Sequence, residues 1–514
     1  MSPRPLAALP GLLAGEAAIA ELLGVDDAIV AVPESARSVV LAALAELSTS
    51  PTVLVATATA REAEQLVHDL APFLGSDAVE LLPAWETLPF ERVSPATETM
   101  GRRLRTMWRL RNGSTGGSMP QPGSGLQHRT GVVVAPIRAL LQRLGPRVED
   151  AEPVVVRQGS DLDPEDLVAR LVHAGYRREY QVEARGELAV RGGIIDVFGS
   201  TASLPIRIDL FGDEVDRLTA FDVADQRSVV PLRAAVLLGC RELVSSEAVR
   251  ARAAALIDLE PWGRSQWERL AAGESFDGME SWLPWLHPEE QLLTDLLPPT
   301  AQVVLVDPRR VRDRAVEVHE EEGALAQTLA ATWGVSTPDL PRLHLPFDRL
   351  LARSAAAVLS LPPTPDSPRV PVVTVRGIAP AAGDPAHLAS QVGELVAQGY
   401  SVTLCSAVPA GTERLSAVLG QEGVSAPVHE SAVAAPGARV VESSLLLGFV
   451  LPESKVAVLS ESDVTGRRVP HRRARPRARP ADGFFDDLSP GSYVVHRQHG
   501  VARFSGVTSR ANAM

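Results

Sequence analysis

Lysine is almost absent from this sequence. Of its 50 basic residues only Lys455 is a lysine, and the rest are arginine. Any chemistry that needs an ammonium group therefore has one candidate, and Lys455 lies in Pro452-Glu453-Ser454-Lys455-Val456, which is no phosphate loop. Cysteine is nearly as scarce. Cys240 and Cys405 are the only two and stand far apart, which excludes a disulfide framework and a zinc cluster and fits a reducing, cytoplasmic compartment. No apolar run reaches the roughly 18 residues that a bilayer span requires. Met1 to Gly15 is too short and too interrupted by proline for a signal peptide. No membrane partner is expected. An excess of positive charge is also missing. The net charge is -13, so a duplex-DNA grip spread over the whole surface is excluded, because that needs a basic field.

What is present is apolar material for several cores. The chain has 514 residues and is 45% hydrophobic. At roughly 150 residues per domain, three or four domains are expected. Residues 27–145 alternate continuous apolar strands (Ala28 to Val32, Thr52 to Ala56, Val132 to Pro136) with helical stretches (Ser38 to Leu47, Ala60 to Leu74, Ile137 to Leu144). That pattern predicts a parallel sheet covered on both faces. Gly/Ser/Pro/Gln-rich residues 112–127 read as a loop. Residues 150–240 string strand-like pieces together (187–190, 193–197, 206–211, 217–221) and predict a smaller α+β domain with antiparallel strands. Residues 241–365 return to helices, with Trp262, Trp267, Trp282 and Trp285, and then the strand 303–306. Proline-rich 361–371 reads as a linker. A second compact α/β unit follows over 371–465, opening on a strand at 372–375. Arg467 to Arg479 holds seven arginines in thirteen residues, a self-repelling segment that buries no core. Gly491 to Gly506 shows strand alternation.

The first strand–loop–helix fits the frame of a phosphate-binding loop, G-x-x-x-x-G-K-[ST]. Here the frame holds Ala31-Val32-Pro33-Glu34-Ser35-Ala36-Arg37-Ser38. Both glycines are alanine and the lysine is Arg37. Alanine Cβ atoms obstruct the close backbone approach that lets amides cradle a phosphate. Pro33 lacks an amide donor, and Glu34 repels a polyphosphate. The segment is either an ordinary strand–loop–helix or a decayed nucleotide loop, and neither implies ATP hydrolysis. His319-Glu320-Glu321-Glu322 lacks the second histidine of a zincin, since Gly323 stands there, and reads as a charged helix face. His496 and His499 have no further ligand nearby, so no metal site is expected.

Three segments carry a resemblance. Trp85-Glu86-Thr87-Leu88-Pro89-Phe90 resembles a stretch of the transcription-repair coupling factor (Mfd) family. Arg185 to Phe198, continued by Pro205 to Asp216, is similar to the UvrA-binding domain of the repair helicase UvrB and of Mfd proteins. Gly491 to Gly506 resembles the opening strands of the polymerase-binding domain shared with CarD-type regulators. The resemblance implies residues 1–147 and 241–365 as two parts of a UvrB-like α/β domain with a degenerate phosphate loop (Ala31, Ala36, Arg37, Ser38), helicase-like in its parallel sheet. It implies an inserted α+β UvrA-binding domain at 148–240, a small α/β third domain at 371–465, an arginine-rich linker at 466–483, and an incomplete β domain at 484–514.

The same resemblance implies UvrA as a partner through Arg177, Arg178, Arg191 and Phe198, with Arg185 as a further candidate; each arginine taken singly reads equally as a solvated side chain, and Phe198 equally as a core residue. It implies the RNA polymerase β subunit as a partner through Val494, His496, His499 and Arg503. ATP, magnesium and duplex DNA would belong to a motor that this stretch lacks, so no cofactor is expected here. The last residues, Ser509 to Met514, do not read as a domain end, and a truncated chain is expected. Two other classes stay open: a UvrB-like helicase or nuclease subunit, and a CarD-like transcription regulator. ATPase activity would mark the first, and failure to bind UvrA the second.

Overall fold

The computed structural model describes residues 3–24, 27–50, 52–113, 131–333, 340–381, 383–466, 493–496 and 500–503. The chain divides into two compact units, Met1–Arg468 and Val469–Met514.

The first unit is built around a six-stranded sheet in the order Asp27–Ile29, Ala357–Leu361, Gln302–Val306, Val53–Thr57, Val132–Pro136, Val79–Leu81, and each neighbouring pair is parallel. Its inner strands are buried on both faces because successive side chains enter two different cores. Val53 and Val55 face one core with Val132 and Val134; Leu54 and Ala56 face the other with Val133 and Ala135. The helix Ala60–Leu74 starts on a capping box, in which Thr59 and Glu62 each accept the other's backbone N–H.

Between Val132–Pro136 and Gln302–Val306 in the chain lies a second six-stranded sheet. Its order is Ser228–Pro231, Glu214–Phe221, Ile206–Phe211, Ile194–Val197, Glu187–Arg191, Arg177–Arg178. Pairing is antiparallel except at Arg177–Arg178, which runs parallel to Glu187–Arg191. The helix Pro164–His173 sends Leu167 and Leu171 into the core under one face, with Leu188, Ile195, Val197, Ile206 and Ile208. After this sheet, the tryptophans gather with the Trp85 segment. Trp85, Trp267, Trp282 and Trp285 share one core against which Phe90 packs. Trp85 Nε1 and Arg103 Nε both donate to Glu242, at 2.7 and 2.6 Å, in a fully buried cluster.

Glu322 corrects the expectation of a charged helix face. It is buried, and its carboxylate accepts from the Leu343 and His344 amides and meets the His344 ring at 2.8 Å. Burial pushes its pKa up, but these bonds outweigh that and hold it below the ordinary value. One buried carboxylate thus anchors the segment after the helix Pro308–Trp333.

The third sheet has five strands in the order Val428–His429, Gly437–Glu442, Ser401–Ser406, Val456–Leu459, Phe449–Leu451. The helices Pro385–Ala397 and Pro409–Gln421 contribute Leu388, Val392 and Leu419 to the core on one face. The other face does not meet solvent. Cys405, Val441, Phe449, Val456 and Val458 join the same core as Leu41, Val53 and Phe73. The expected opening strand at 372–375 does not form in this sheet. Val372 instead bridges Ala31 beside the first sheet, and Arg376 bridges Val450 beside the third. Nor is 361–371 a free tether, since Pro362 and Pro371 accept hydrogen bonds from the Val32 and Ala31 amides. Apolar residues on the back of the third sheet are better buried against the neighbouring layer than left in water, and that binds the two sheets into one body.

In the second unit, Tyr493–His496 pairs antiparallel with Gly500–Arg503, setting Val494 opposite Ala502 and Tyr493 opposite Arg503. The expected arginine-rich linker and His499 lie outside the described residues.

Candidate protein-interaction site

The second sheet has one buried face and one open face. The strand period of two decides which residues go where. Leu188, Ile195, Val197, Ile206 and Ile208 point into the core. Their alternates Arg191, Ile194, Asp196, Arg207, Asp209 and Phe211 therefore share the opposite face. Asp196 is fully buried there and holds two arginines. Arg191 Nη2 reaches it at 2.5 Å, and Arg207 clasps both carboxylate oxygens at 2.7 and 2.9 Å. These bonds push the Arg207 guanidinium above its ordinary pKa. Arg207 also lies over the Phe221 ring, 4.6 Å from its centroid. The Arg191 side chain remains 41% exposed, so it offers donors to a partner while Asp196 fixes its position.

The expected contact residues separate into three groups. Arg177 lies on the Arg191 face, because it pairs in register with Glu187 and bonds that carboxylate at 3.3 Å. Arg178 is exposed but pairs with Leu188, whose side chain enters the core, so it belongs to the other face at the sheet's edge. Phe198 is a core side chain, 7% exposed, packed with Val182, Ala189 and Phe221. Its ring is covered by Arg185, whose guanidinium carbon stands 5.4 Å from the centroid and whose Nε donates to the Ala202 carbonyl. Of the two roles open to Phe198, contact or core, this packing favours the core. A small apolar core closes under Phe221 at that end of the face, and it takes the ring in. The exposed aromatic of this face is Phe211, which the sequence reading passed over although the alternation Arg207-Ile208-Asp209-Leu210-Phe211 carries the signal.

In the loop aligned with a phosphate-binding frame, several amides are already bonded within the protein. The Ala31 N–H donates to Pro371, Val32 to Pro362 and Ala36 to Pro33, and Pro33 has no N–H. Ala31, Ala36 and Ser38 are buried. Arg37 opens the helix Arg37–Leu47. Among the described residues no group of three or more His, Cys, Asp and Glu side chains is placed to hold a metal ion, and no helix is long and apolar enough to cross a membrane.

Residues 154–242, the open face included, match the family described as UvrB interaction domain, and residues 488–513 match the CarD-like/TRCF RID domain. A protein of Mycobacterium tuberculosis called transcription-repair-coupling factor is 34% identical over 94% of this chain. The chain is similar to transcription-repair-coupling factors. Those of Bacillus subtilis and Escherichia coli are 28% and 26% identical, each over 92% of the chain. The chain spans about two fifths of the length of these transcription-repair-coupling factors, 41% in each of the three.

Proposed function

We propose that this chain is the recruiting region of a transcription-repair-coupling factor and that it works in the cytoplasm. In this reading residues 148–240 form a domain inserted into a UvrB-like, helicase-type α/β domain, and they bind UvrA through the face carrying Arg177 and Arg191. The hairpin containing Val494, His496 and Arg503 contributes to docking on the RNA polymerase β subunit. ATP-driven translocation on duplex DNA belongs to parts of such proteins that this chain does not span. Loop amides occupied by Pro362 and Pro371 support a non-nucleotide role for the Ala31–Ser38 segment.

The observation that carries the reading is the coincidence of the UvrB interaction match with an open sheet face holding pre-positioned arginines. The test is retention of purified UvrA on the immobilised chain, with Arg177→Ala/Arg191→Ala as the variant. Asp196 keeps both bonds from Arg207 in that variant, so the fold should persist. Binding is expected to fall by at least tenfold, corresponding to ~1.4 kcal/mol or more from two charge-assisted contacts. Equal retention of UvrA by variant and parent would remove this face from the interaction.

A further inference from the structure

The third sheet carries a cavity of about 260 Å³ outside the carboxyl end of its central strand, Ser401–Ser406. Open α/β sheets take ligands at that edge, because the strands end there and helices begin. Three helices supply the walls. Pro385–Ala397 contributes Leu388, Pro409–Gln421 contributes Leu415 and Val418, and Glu461–Thr465 contributes Val464. The surroundings are braced by hydrogen bonds. The Gly383 N–H donates to the Val464 carbonyl, and the Asp463 carboxylate accepts the Gly448 and Ser460 amides at 3.0 and 2.8 Å.

Three polar side chains that the fold does not use line the same cavity. Ser406 is 6% exposed, yet its hydroxyl bonds no described residue. Buried hydroxyls are normally satisfied. It lies against Gly411, where a Cβ would collide with it, so the start of the helix Pro409–Gln421 comes close to this hydroxyl. That helix has no side-chain cap, and the positive end of its dipole favours an anion beside Gly411. Arg414 and Glu461 are the other two. Neither forms an ion pair with the other or with any described residue.

A purely anionic ligand would be repelled by Glu461, and a purely cationic one by Arg414. A zwitterion satisfies both. The volume suits one small molecule with a compact apolar group, since it falls below the roughly 300–1,000 Å³ of sites for drug-sized ligands. We infer that this cavity binds a free α-amino acid with an aliphatic side chain. The ligand's carboxylate meets Arg414 and the Ser406 hydroxyl at the uncapped helix start, and its ammonium group meets Glu461. Its side chain enters among Leu388, Leu415, Val418 and Val464. The site belongs to the third sheet and does not depend on the UvrA reading.

The experiment is calorimetric titration of the full chain with L-leucine, L-isoleucine, L-valine and L-methionine. For each amino acid that binds, the same molecule without its amino group and without its carboxylate is titrated next. At least one amino acid is expected to bind saturably, one per chain, with a Kd of about 1 mM or tighter, and each truncated analogue to bind at least about tenfold more weakly. Arg414→Gln and Glu461→Gln are each expected to lower the affinity by about tenfold or more at an unchanged melting temperature, because neither side chain has an ion-pair partner to lose. Failure of all four amino acids to bind overturns the inference. So does a truncated analogue that binds as tightly as its parent amino acid, which would make this a simple anion or cation site. Unchanged affinity in both variants would place the bound amino acid elsewhere and overturn it as well.

Discussion

Replacing Asp69 by asparagine is expected to stabilise the protein, and to do so more at pH 8 than at pH 5. Asp69 lies on the helix Ala60–Leu74, where the third sheet packs against the first. Its carboxylate accepts the Leu446 N–H at 3.1 Å, and no arginine or lysine pairs with it among the described residues. Burial raises its pKa from 3.8 to about 7, and the single backbone bond only partly offsets that. A carboxyl with a raised folded-state pKa binds its proton more tightly in the folded protein. The folded state is therefore least disfavoured below the unfolded pKa, loses stability as pH climbs toward 7, and levels off beyond it. A shift of roughly three units is on the order of 4 kcal/mol once the group is ionised, of which roughly 2–3 kcal/mol accrues between pH 5 and 8. Asparagine keeps an acceptor oxygen for the Leu446 amide and cannot ionise. Thermal unfolding of parent and variant at pH 5, 6, 7 and 8 should show the melting-temperature gap widening in favour of the variant as pH rises. A gap that is flat across that range, or that narrows, would mean that Asp69 is solvated and that the two layers do not seal over it.

Two further outcomes follow from the buried polar groups. Arg103→Leu should destabilise the protein by about 3 kcal/mol or more, because it strands the Glu242 carboxylate in a dry core; Arg103→Leu/Glu242→Leu should recover part of that loss in urea unfolding. Rebuilding the loop as Ala31→Gly/Ala36→Gly/Arg37→Lys should still give no ATP binding by calorimetry, since the Ala31 and Val32 amides remain bonded to Pro371 and Pro362. Micromolar affinity in that variant would show that those bonds yield to a phosphate.

Much of the architecture was legible because its signals are local. Val132 to Pro136 is continuously apolar and Ala60 to Leu74 is amphipathic, and period alone assigns a parallel-sheet strand to the first and a helix to the second. The same holds for the open face of the second sheet, where alternation separates Arg191 from Leu188. What the sequence left open or misplaced involves residues whose surroundings come from distant parts of the chain. Glu322 sits in a run of acids that looks solvated, but the backbone of residues 343–344 folds over it. Phe198 and Phe211 are both aromatic and both lie on the open face. One is buried only because Phe221 and Val182 converge on it, and the other is exposed because nothing does.

By itself the sequence determined most strands and helices of the first sheet, the antiparallel character of residues 187–221, the missing glycines of the Ala31–Ser38 loop and the family likeness, because each depends on residues close together in the chain. Only the tertiary structure decided that the third sheet shares a core with the first, that Val372 and Arg376 each bridge to one of these sheets, and that Arg177 rather than Arg178 shares a sheet face with Arg191. Those outcomes depend on which apolar surfaces find each other across hundreds of residues and on a strand register that a shift of one residue would invert.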